Sequence, residues 1–277
     1  MTRYIDTVPT PAHVEPKKLI VLSAPRTGTH GLYLALKKLG FKPYHMVEVM
    51  DAGPNAMQTL LDGFDAEFLH VGKPYGRAEF DKWFANYDII IEMPFFMIHS
   101  IIKAYPDAKF LLVERSPEKW ATSYINTVGQ MEKHSSTFPF RILSYLDDYA
   151  SKSAELGRRI TRYCTNGYGI TPEGRASLVE NYKDYIAEVK RIVPPEQLKV
   201  CKLEDGFGWE QICPYIGVPV PDMDWPSLNT PDEFHSLVRP RMQAAMRKGL
   251  IKIASMAVPL VAAGIWFAKN KGLPQLS

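Results

Sequence analysis

The stretch SAPRTGTHG, residues 23–31, brings together residue types that bind anions, directly after an apolar run. Between a strand and a helix, successive backbone N–H groups and the helix N-terminus point at one spot, which suits phosphate or sulfate. Gly28 would let the backbone approach such a ligand, and Arg26 would add a fixed positive charge. Thr27 and Thr29 would add hydroxyl donors. The stretch therefore predicts an anion site, against the alternative of a turn that binds nothing.

The same loop does not match the nucleotide-binding pattern G-x-x-x-x-G-K-[ST]. With Gly28 as the second glycine, the lysine position holds Thr29 and the Ser/Thr position holds His30. The groups that grip the β/γ-phosphates and Mg²⁺ are both missing at their usual places. A Mg²⁺-dependent NTPase or small-molecule kinase is therefore disfavoured, and no metal is expected.

A second set of candidate anion ligands lies in FLLVERSPEKWATSY, residues 110–124. Arg115 follows an apolar run, Pro117 can open a helix, and Ser123 lies eight residues after the arginine. Open α/β sheets bind ligands outside the carboxyl ends of their strands, so Arg115 and Ser123 can converge on one phosphate. The alternative for a lone arginine at a strand end is a surface ion pair.

These candidates need a scaffold, and the hydrophobic pattern predicts one. Apolar runs at residues 18–23, 87–92 and 109–114, with a weaker run at 199–203, are typical of strands buried on both faces. Helical periodicity is found at residues 31–39, 95–105, 118–128 and 178–192. The alternation of strands and helices predicts an α/β fold with a parallel sheet covered by helices.

The composition is that of a folded protein of a reducing compartment. Of the 277 residues 46% are hydrophobic and the net charge is +3, so disorder is excluded for most of the chain and nucleic acid is not an expected partner. Cys164, Cys201 and Cys213 form no CxxC pair, which argues against disulfides and zinc. Residues 1–17 show no apolar signal region and are predicted to form an extended lead-in, so we expect a cytoplasmic protein.

The C-terminal residues 236–277 are predicted to form a helical tail. Residues 253–268, IASMAVPLVAAGIWFA, are uncharged and have basic residues on both sides. As a helix they would span ~24 Å at ~1.5 Å per residue, against about 30 Å for the hydrocarbon core of a bilayer. Two interpretations stay open: a helix buried against the domain, or a tail that associates with a membrane.

Two motifs together resemble those of the P-loop sulfotransferases. PRTGTHGL resembles the 5′-phosphosulfate loop of that family, and VERSPEKWATSY resembles its 3′-phosphate motif. Three further stretches, at residues 40–49, 104–120 and 203–229, resemble the fungal-type sulfotransferase-like branch. The similarity covers residues 18–235, and it implies a P-loop-type parallel sheet with helices on both faces and extra C-terminal helices.

The resemblance implies a donor, 3′-phosphoadenosine 5′-phosphosulfate, and a small-molecule acceptor. Carried over by position, the residues around the 5′-phosphosulfate are Arg26, Thr27, Gly28, Thr29 and His30. Arg115 and Ser123 would hold the 3′-phosphate. Trp120, one turn before Ser123, would pack on the adenine, unless it is a core anchor.

Transfer to a hydroxyl needs a base, and two residues are candidates. Glu92 ends the predicted strand at residues 87–92, and the related branch tends to carry an acidic residue there. His45 in PYHM carries an imidazole that titrates near neutral pH. The alternatives are a cap of the following helix for Glu92 and a buried core histidine for His45.

The first functional hypothesis is therefore a sulfotransferase of secondary metabolism. Its catalytic residues would be Arg26 and either Glu92 or His45, its acceptor would be a small apolar alcohol, and elimination or cyclisation could follow transfer. The second is an inactive nucleotide-binding or scaffold protein on the same fold.

Overall fold

Five parallel strands form one sheet in the order β2-β3-β1-β4-β5 within the described part of the chain. The structure is a computed structural model and describes residues 2–226 and 231–271. The strands are β1 (Leu19–Val21), β2 (Pro43–Tyr44), β3 (Ile89–Ile91), β4 (Phe110–Glu114) and β5 (Leu198–Lys202).

The helices occupy most of the remaining described chain. They are α1 (Tyr4–Thr7), α2 (Thr29–Lys38), α3 (Met46–Ala52), α4 (Pro54–Phe68), α5 (Arg77–Trp83), α6 (Ile98–Ala104), α7 (Pro117–Tyr124), α8 (Gln130–Ser135), α9 (Phe140–Leu143), α10 (Asp148–Cys164), α11 (Pro172–Ile192), α12 (Trp209–Ile216) and α13 (Pro231–Lys271). A π-helical turn, Ile125–Gly129, joins α7 to α8. Short 3₁₀ turns lie at Met93–Phe96, Pro195–Gln197 and Leu203–Asp205.

The sheet separates two hydrophobic cores, because alternate residues of its buried strands face opposite sides. Ile20, Ile90 and Phe110 face the larger core, which α4, α6, α7 and α11 complete. Leu19, Ile89 and Leu111 face the smaller core, which α2 and α12 complete. Helices on both faces of a parallel sheet confirm the predicted fold class.

The elements differ from their predicted bounds in three places. The predicted strands are present but mostly shorter, and the two-residue strand β2 at the edge was not predicted. The predicted helix at 95–105 is divided, since the 3₁₀ turn Met93–Phe96 ends before α6 begins. The predicted helix at 118–128 changes into the π-helical turn after Tyr124.

The N-terminal lead-in contains one helical turn, α1, and lies against the domain. Ile5 is buried in the larger core, and Arg3 forms an ion pair with Glu79 at 2.8 Å. The Lys17 ammonium donates to the carbonyl oxygens of Glu15, Phe84 and Tyr87 at 2.6, 2.9 and 2.6 Å. The burial of Ile5 and these polar contacts explain why the lead-in is not simply extended.

Helix α13 is continuous over 41 residues, with Pro240 and Pro259 inside it. Its first part packs on the domain, where Val238 and Ala245 are buried, whereas residues 250–270 are exposed all round. The interpretation of 253–268 as a helix buried against the domain is therefore wrong in this structure. Met1, residues 227–230 of the predicted core domain and residues 272–277 of the predicted tail lie outside the described residues.

Candidate active site

Predicted site residues follow the carboxyl ends of four adjacent strands. His45 follows β2, Glu92 follows β3, the loop with Arg26 follows β1, and Arg115 follows β4. Because the four strands are parallel neighbours, these residues lie along one edge of the sheet. The strand order thus gathers residues from four separate stretches of the sequence.

The loop after β1 has a backbone shaped for anion binding. Gly28 is the residue before α2 and adopts φ 90°, and no side chain caps the helix there. The first N–H groups of an α-helix have no intrahelical acceptor, so the N-terminus of α2 suits an anion. Arg26 also has a positive φ of 72°, an uncommon conformation for a residue with a side chain. Thr27 is buried, and its hydroxyl donates to the carbonyl of Ala24 at 2.7 Å.

Hydrogen bonds from α7, α11 and β4 stabilise this loop and the end of the strand before it. The indole N–H of Trp120 donates to the carbonyl of Pro25 at 2.7 Å, and the Tyr185 hydroxyl donates to the carbonyl of Leu22 at 2.5 Å. The Ser23 hydroxyl accepts from the backbone N–H of Val113 at 2.8 Å. Helices α7 and α11 and strand β4 therefore fix the strained turn at Arg26.

Arg26, Arg115 and Ser123 are in contact. Arg115 Nη1 donates to the backbone carbonyl of Arg26 at 2.8 Å, and Arg26 Nε donates to Ser123 Oγ at 3.3 Å. Two guanidinium groups and a hydroxyl thus lie together beside the N-terminus of α2. This arrangement can bind a ligand with more than one anionic group.

Trp120 lies in the core. Its side chain is 1% exposed, and its ring stacks on Tyr182 at 4.4 Å with an interplanar angle of 11°. The ring therefore offers no open face to a nucleotide base in this structure. Its direct contact with the loop is the hydrogen bond to Pro25.

Glu92 is buried and contacts Thr29, which was predicted to bind the phosphosulfate, and His45, which was predicted as the alternative base. The glutamate residue is 5% exposed, and its φ is 67°. The Thr29 hydroxyl donates to Oε1, and Nε2 of His45 lies 3.1 Å from the same oxygen. The carboxylate does not cap the turn Met93–Phe96, so the capping alternative is not observed.

The charge of Glu92 is stabilised by its neighbours. Burial alone would raise the pKa of this carboxyl. The adjacent His45 ring, the Thr29 hydroxyl and the Arg26 guanidinium outweigh burial and hold the pKa below its ordinary value. Glu92 is therefore a carboxylate in neutral solution, which is the form a general base requires.

His45 both begins helix α3 and faces Glu92. Its Nδ1 accepts from the backbone N–H of Val47 at 3.2 Å, which leaves the ring proton of a neutral imidazole on Nε2. Nε2 is buried and has no aligned hydrogen-bond partner within the described part of the chain. The ring lies 5.8 Å from that of His30 and 5.2 Å from that of Tyr33. His45 is thus a buried histidine, as its alternative predicted, and its Nε2 lies 3.1 Å from the Glu92 carboxylate.

Three residues that support the site were not among the predicted site residues. The Tyr182 hydroxyl accepts from the backbone N–H of Arg115 at 3.0 Å, and Tyr185, which binds Leu22, lies one helical turn further along α11. Glu204 accepts from the backbone N–H of Ser116 at 3.0 Å. The spacing of the two tyrosines on a predicted helix is the signal that could have found them.

Three comparisons with known proteins show what this chain is similar to. A family model described as the sulfotransferase domain matches residues 18–234. Ava biosynthesis cluster protein M of Aspergillus versicolor is 31% identical over 264 residues, which cover 92% of this chain and 97% of that protein. A crystal structure of a sulfotransferase from Alicyclobacillus acidocaldarius matches with 15% identity and a TM-score of 0.43, and covers 85% of this chain and 94% of its own.

Proposed function

This chain belongs to the sulfotransferase family, and we propose that it moves a sulfuryl group from 3′-phosphoadenosine 5′-phosphosulfate to a hydroxyl of a small apolar acceptor. The observation that carries the proposal is the contact of Arg26, Arg115 and Ser123 beside the N-terminus of α2. A bisphosphorylated nucleotide is the kind of ligand that needs two cationic groups in one cleft.

The two arginines would act at different ends of the donor. Arg26 and the N-terminus of α2, with Thr27, Gly28, Thr29 and His30, would bind the 5′-phosphosulfate, and Arg115 with Ser123 would bind the 3′-phosphate. Transfer breaks the bond from sulfur to the bridging oxygen, joins sulfur to the acceptor oxygen and leaves the bisphosphate. Arginine stays charged at all relevant pH values, so Arg26 would stabilise the leaving phosphate without donating a proton.

Glu92 is the proposed general base, and His45 is a positioning residue. The proton of the acceptor hydroxyl would pass to the Glu92 carboxylate as the acceptor oxygen attacks sulfur. His45 Nδ1 is already occupied by a backbone N–H and Nε2 faces Glu92, which supports the carboxylate over the imidazole as base. Thr29 would orient the same carboxylate.

The apolar character of the acceptor rests on the residues that follow Glu92. Phe95 and Phe96 are buried in the turn after the carboxylate, and Phe95 packs edge-on against Tyr185 at 4.7 Å. The relative from Aspergillus versicolor is named after a biosynthesis cluster, which supports an acceptor from secondary metabolism. Elimination or cyclisation of the sulfated product is a further outcome of this chemistry.

Calorimetry can test whether the nucleotide site prefers a 3′-phosphorylated adenosine to ATP. We expect 3′-phosphoadenosine 5′-phosphate to bind and ATP with Mg²⁺ to bind far more weakly. Arg115→Ala should weaken the bisphosphate by about 10–100-fold, as expected for a charge-assisted hydrogen bond to phosphate. Tighter binding of ATP with Mg²⁺ would favour a kinase and contradict the proposal.

Transfer of labelled sulfate to a metabolite extract tests the base. Glu92→Gln should lower kcat by about 10²–10⁴-fold and leave bisphosphate affinity unchanged, because general bases contribute this much. Glu67→Gln is a matched control, since Glu67 is a carboxylate that binds the backbone N–H of His99 away from the strand ends. An unchanged kcat in Glu92→Gln would exclude Glu92, and no transfer by the wild type would favour the scaffold hypothesis.

We also propose that α13 associates this cytoplasmic enzyme with a membrane. Within the described part of the chain, His235–Asn270 is the one stretch of helix long and apolar enough to cross a bilayer, and its apolar window is not buried. The full chain should stay in the membrane fraction after carbonate extraction, and deletion of residues 250–277 should release it. Release of the full chain by carbonate would contradict insertion.

A further inference from the structure

We infer that the globular domain itself has a membrane-contacting surface, formed by Phe138, Ile142 and Tyr145. This inference rests on the proposed insertion of α13 and adds a second contact beside it. We call these three residues the α9 surface, because they lie in or next to α9.

The α9 surface is unusual in its exposure. Phe138, Ile142 and Tyr145 are 80%, 48% and 78% exposed, whereas Leu143 between them is buried against α13. Two aromatic rings and a branched aliphatic side chain in eight residues form an apolar patch that the described domain does not cover. Tyrosine is typical of the bilayer interface, where its hydroxyl stays in water, and phenylalanine is typical of the apolar face that enters the lipid.

The packing of α13 puts this surface at the level where the apolar segment leaves the domain. α13 approaches α9 so closely that a Cβ atom on Gly249 would lie 2.6 Å from Leu143 Cδ2. Three residues later, Lys252 Nζ donates to the carbonyl of Leu146 at 3.3 Å. The uncharged segment begins at the next residue, Ile253. A bilayer that surrounds this segment therefore meets the α9 surface at its headgroups.

The charges around the α9 surface fit anionic lipid. Residues 133–146 and 235–271 contain no aspartate or glutamate, and Glu132, Asp147 and Asp148 lie directly outside the first range. The basic residues in or next to α9 and around the start of the uncharged segment outnumber these acidic residues: Lys133, Arg141, Arg247, Lys248 and Lys252. Basic groups at the surface of an anionic leaflet are attracted to it. The same charges oppose contact with a second copy of this surface, so a bilayer is the partner that fits.

A polarity-sensitive fluorophore on residue 138 tests the contact. The full chain carries Phe138→Cys labelled with a nitrobenzoxadiazole, with Cys201→Ser because Cys201 is the native cysteine that is not buried. It is reconstituted into vesicles of phosphatidylcholine and phosphatidylserine. The matched control is Tyr168→Cys, since Tyr168 is 58% exposed and lies beyond the far end of α10. Tyr145→Cys is the second probe position.

We expect label at positions 138 and 145 to shift its emission to the blue in vesicles and to be quenched by nitroxide lipid. Label at position 168 should keep its aqueous emission. Aqueous emission at 138 and 145 in protein that sediments with vesicles would overturn the α9 surface and leave the anchor intact. Protein that does not sediment with vesicles would overturn both. A blue shift that follows protein concentration without lipid would identify a second copy and overturn the inference.

Discussion

At the scale of single residues, Glu92 combines features that cost stability. A buried carboxylate with φ 67° is costly in desolvation and in backbone strain. The Thr29 hydroxyl and the His45 ring compensate for this cost at Oε1. Strain of this kind is concentrated at functional sites, where geometry is held by the surrounding structure. The residue that the resemblance proposed as a base is thus also one of the most constrained in the chain.

The lowered pKa of Glu92 predicts how stability depends on pH. A carboxyl with a folded pKa below its ordinary 4.5 stabilises the fold above pH 4.5, and this contribution is lost as pH falls through the folded pKa. Glu92→Gln should therefore be destabilised most near neutral pH, by about 1–3 kcal/mol for hydrogen bonds to a charged group. Urea unfolding at pH 7 and pH 3.5 measures this. A difference that does not shrink in acid would contradict the lowered pKa.

The contact of Ser123 with Arg26 leads to a prediction: removal of the Ser123 hydroxyl should weaken bisphosphate binding without changing the fold. Ser123→Ala removes the acceptor of Arg26 Nε and should weaken bisphosphate binding by about 3–10-fold, or about 1 kcal/mol. Thr122→Ala is the matched control, because its hydroxyl lies on the same helix and donates to the Glu118 carbonyl. Equal losses in the two variants, by calorimetry, would remove Ser123 from the phosphate site.

At the scale of elements, the residues that follow the carboxyl ends of the strands show which parts of the site the sequence could predict and which it could not. Long apolar runs identify β1 and β4, and ligands of such sheets bind at the carboxyl ends, so the convergence of Arg26 and Arg115 was predictable. The grouping of Thr29, His45 and Glu92 was not. It requires the position of β2, whose two residues begin with a proline and show no strand pattern.

Trp120 is a second residue whose environment the sequence did not predict. Its position on a predicted helix was clear, but its environment depends on Tyr182 of α11, which stacks on the ring from 62 residues further along the chain. Periodicity describes one helix at a time and does not identify its neighbour. Residues whose role is fixed by such distant contacts are the ones that sequence patterns describe least.

The contacts of the lead-in give a prediction about stability, which concerns Lys17 and not the candidate active site. Lys17→Met removes a buried donor to three backbone carbonyls, of which that of Phe84 keeps the N–H of Tyr87, and should destabilise the fold by about 1–3 kcal/mol. Lys18→Met is the control, because the Lys18 side chain is 56% exposed, pairs with Asp88 and lies over the Phe41 ring. Exposed ion pairs of this kind are worth about 0–1 kcal/mol. Thermal unfolding of both variants compares them, and equal shifts in Tm would show that the buried contacts of Lys17 contribute nothing extra.

At the scale of the whole molecule, α13 contradicts one of the two interpretations of the tail, the helix buried against the domain. Composition and length fit a buried helix and a membrane helix equally well. The difference depends on whether the domain offers a groove to the segment, which is a property of the assembled fold. In the structure the domain packs on residues up to about Lys252 and leaves the apolar segment exposed.

The junction between helix and domain gives a prediction with an internal control. Gly249→Leu would bring a side chain against Leu143 and should destabilise the packing of α13 on α9 by about 1–3 kcal/mol. Gly264→Leu makes the same chemical change where a Cβ meets nothing within 4 Å. Limited proteolysis after reconstitution should cut faster between α9 and α10 in Gly249→Leu alone. Equal rates would show that Gly249 is not a packing site.

The hydrogen bond from Lys252 to Leu146 fixes the position along α13 at which the helix leaves the domain and its apolar segment begins. No loop separates the packed part of the helix from the apolar part, and the first proline after the junction is Pro259. Four polar helix-forming residues inserted after Lys252 would add ~6 Å of rise and slightly more than one full turn. In the proposed membrane-bound enzyme, the domain would then lie farther from the lipid headgroups, with the helix still inserted. In that arrangement the length of α13 would set the distance from the lipid to the carboxyl ends of the strands, one turn at a time.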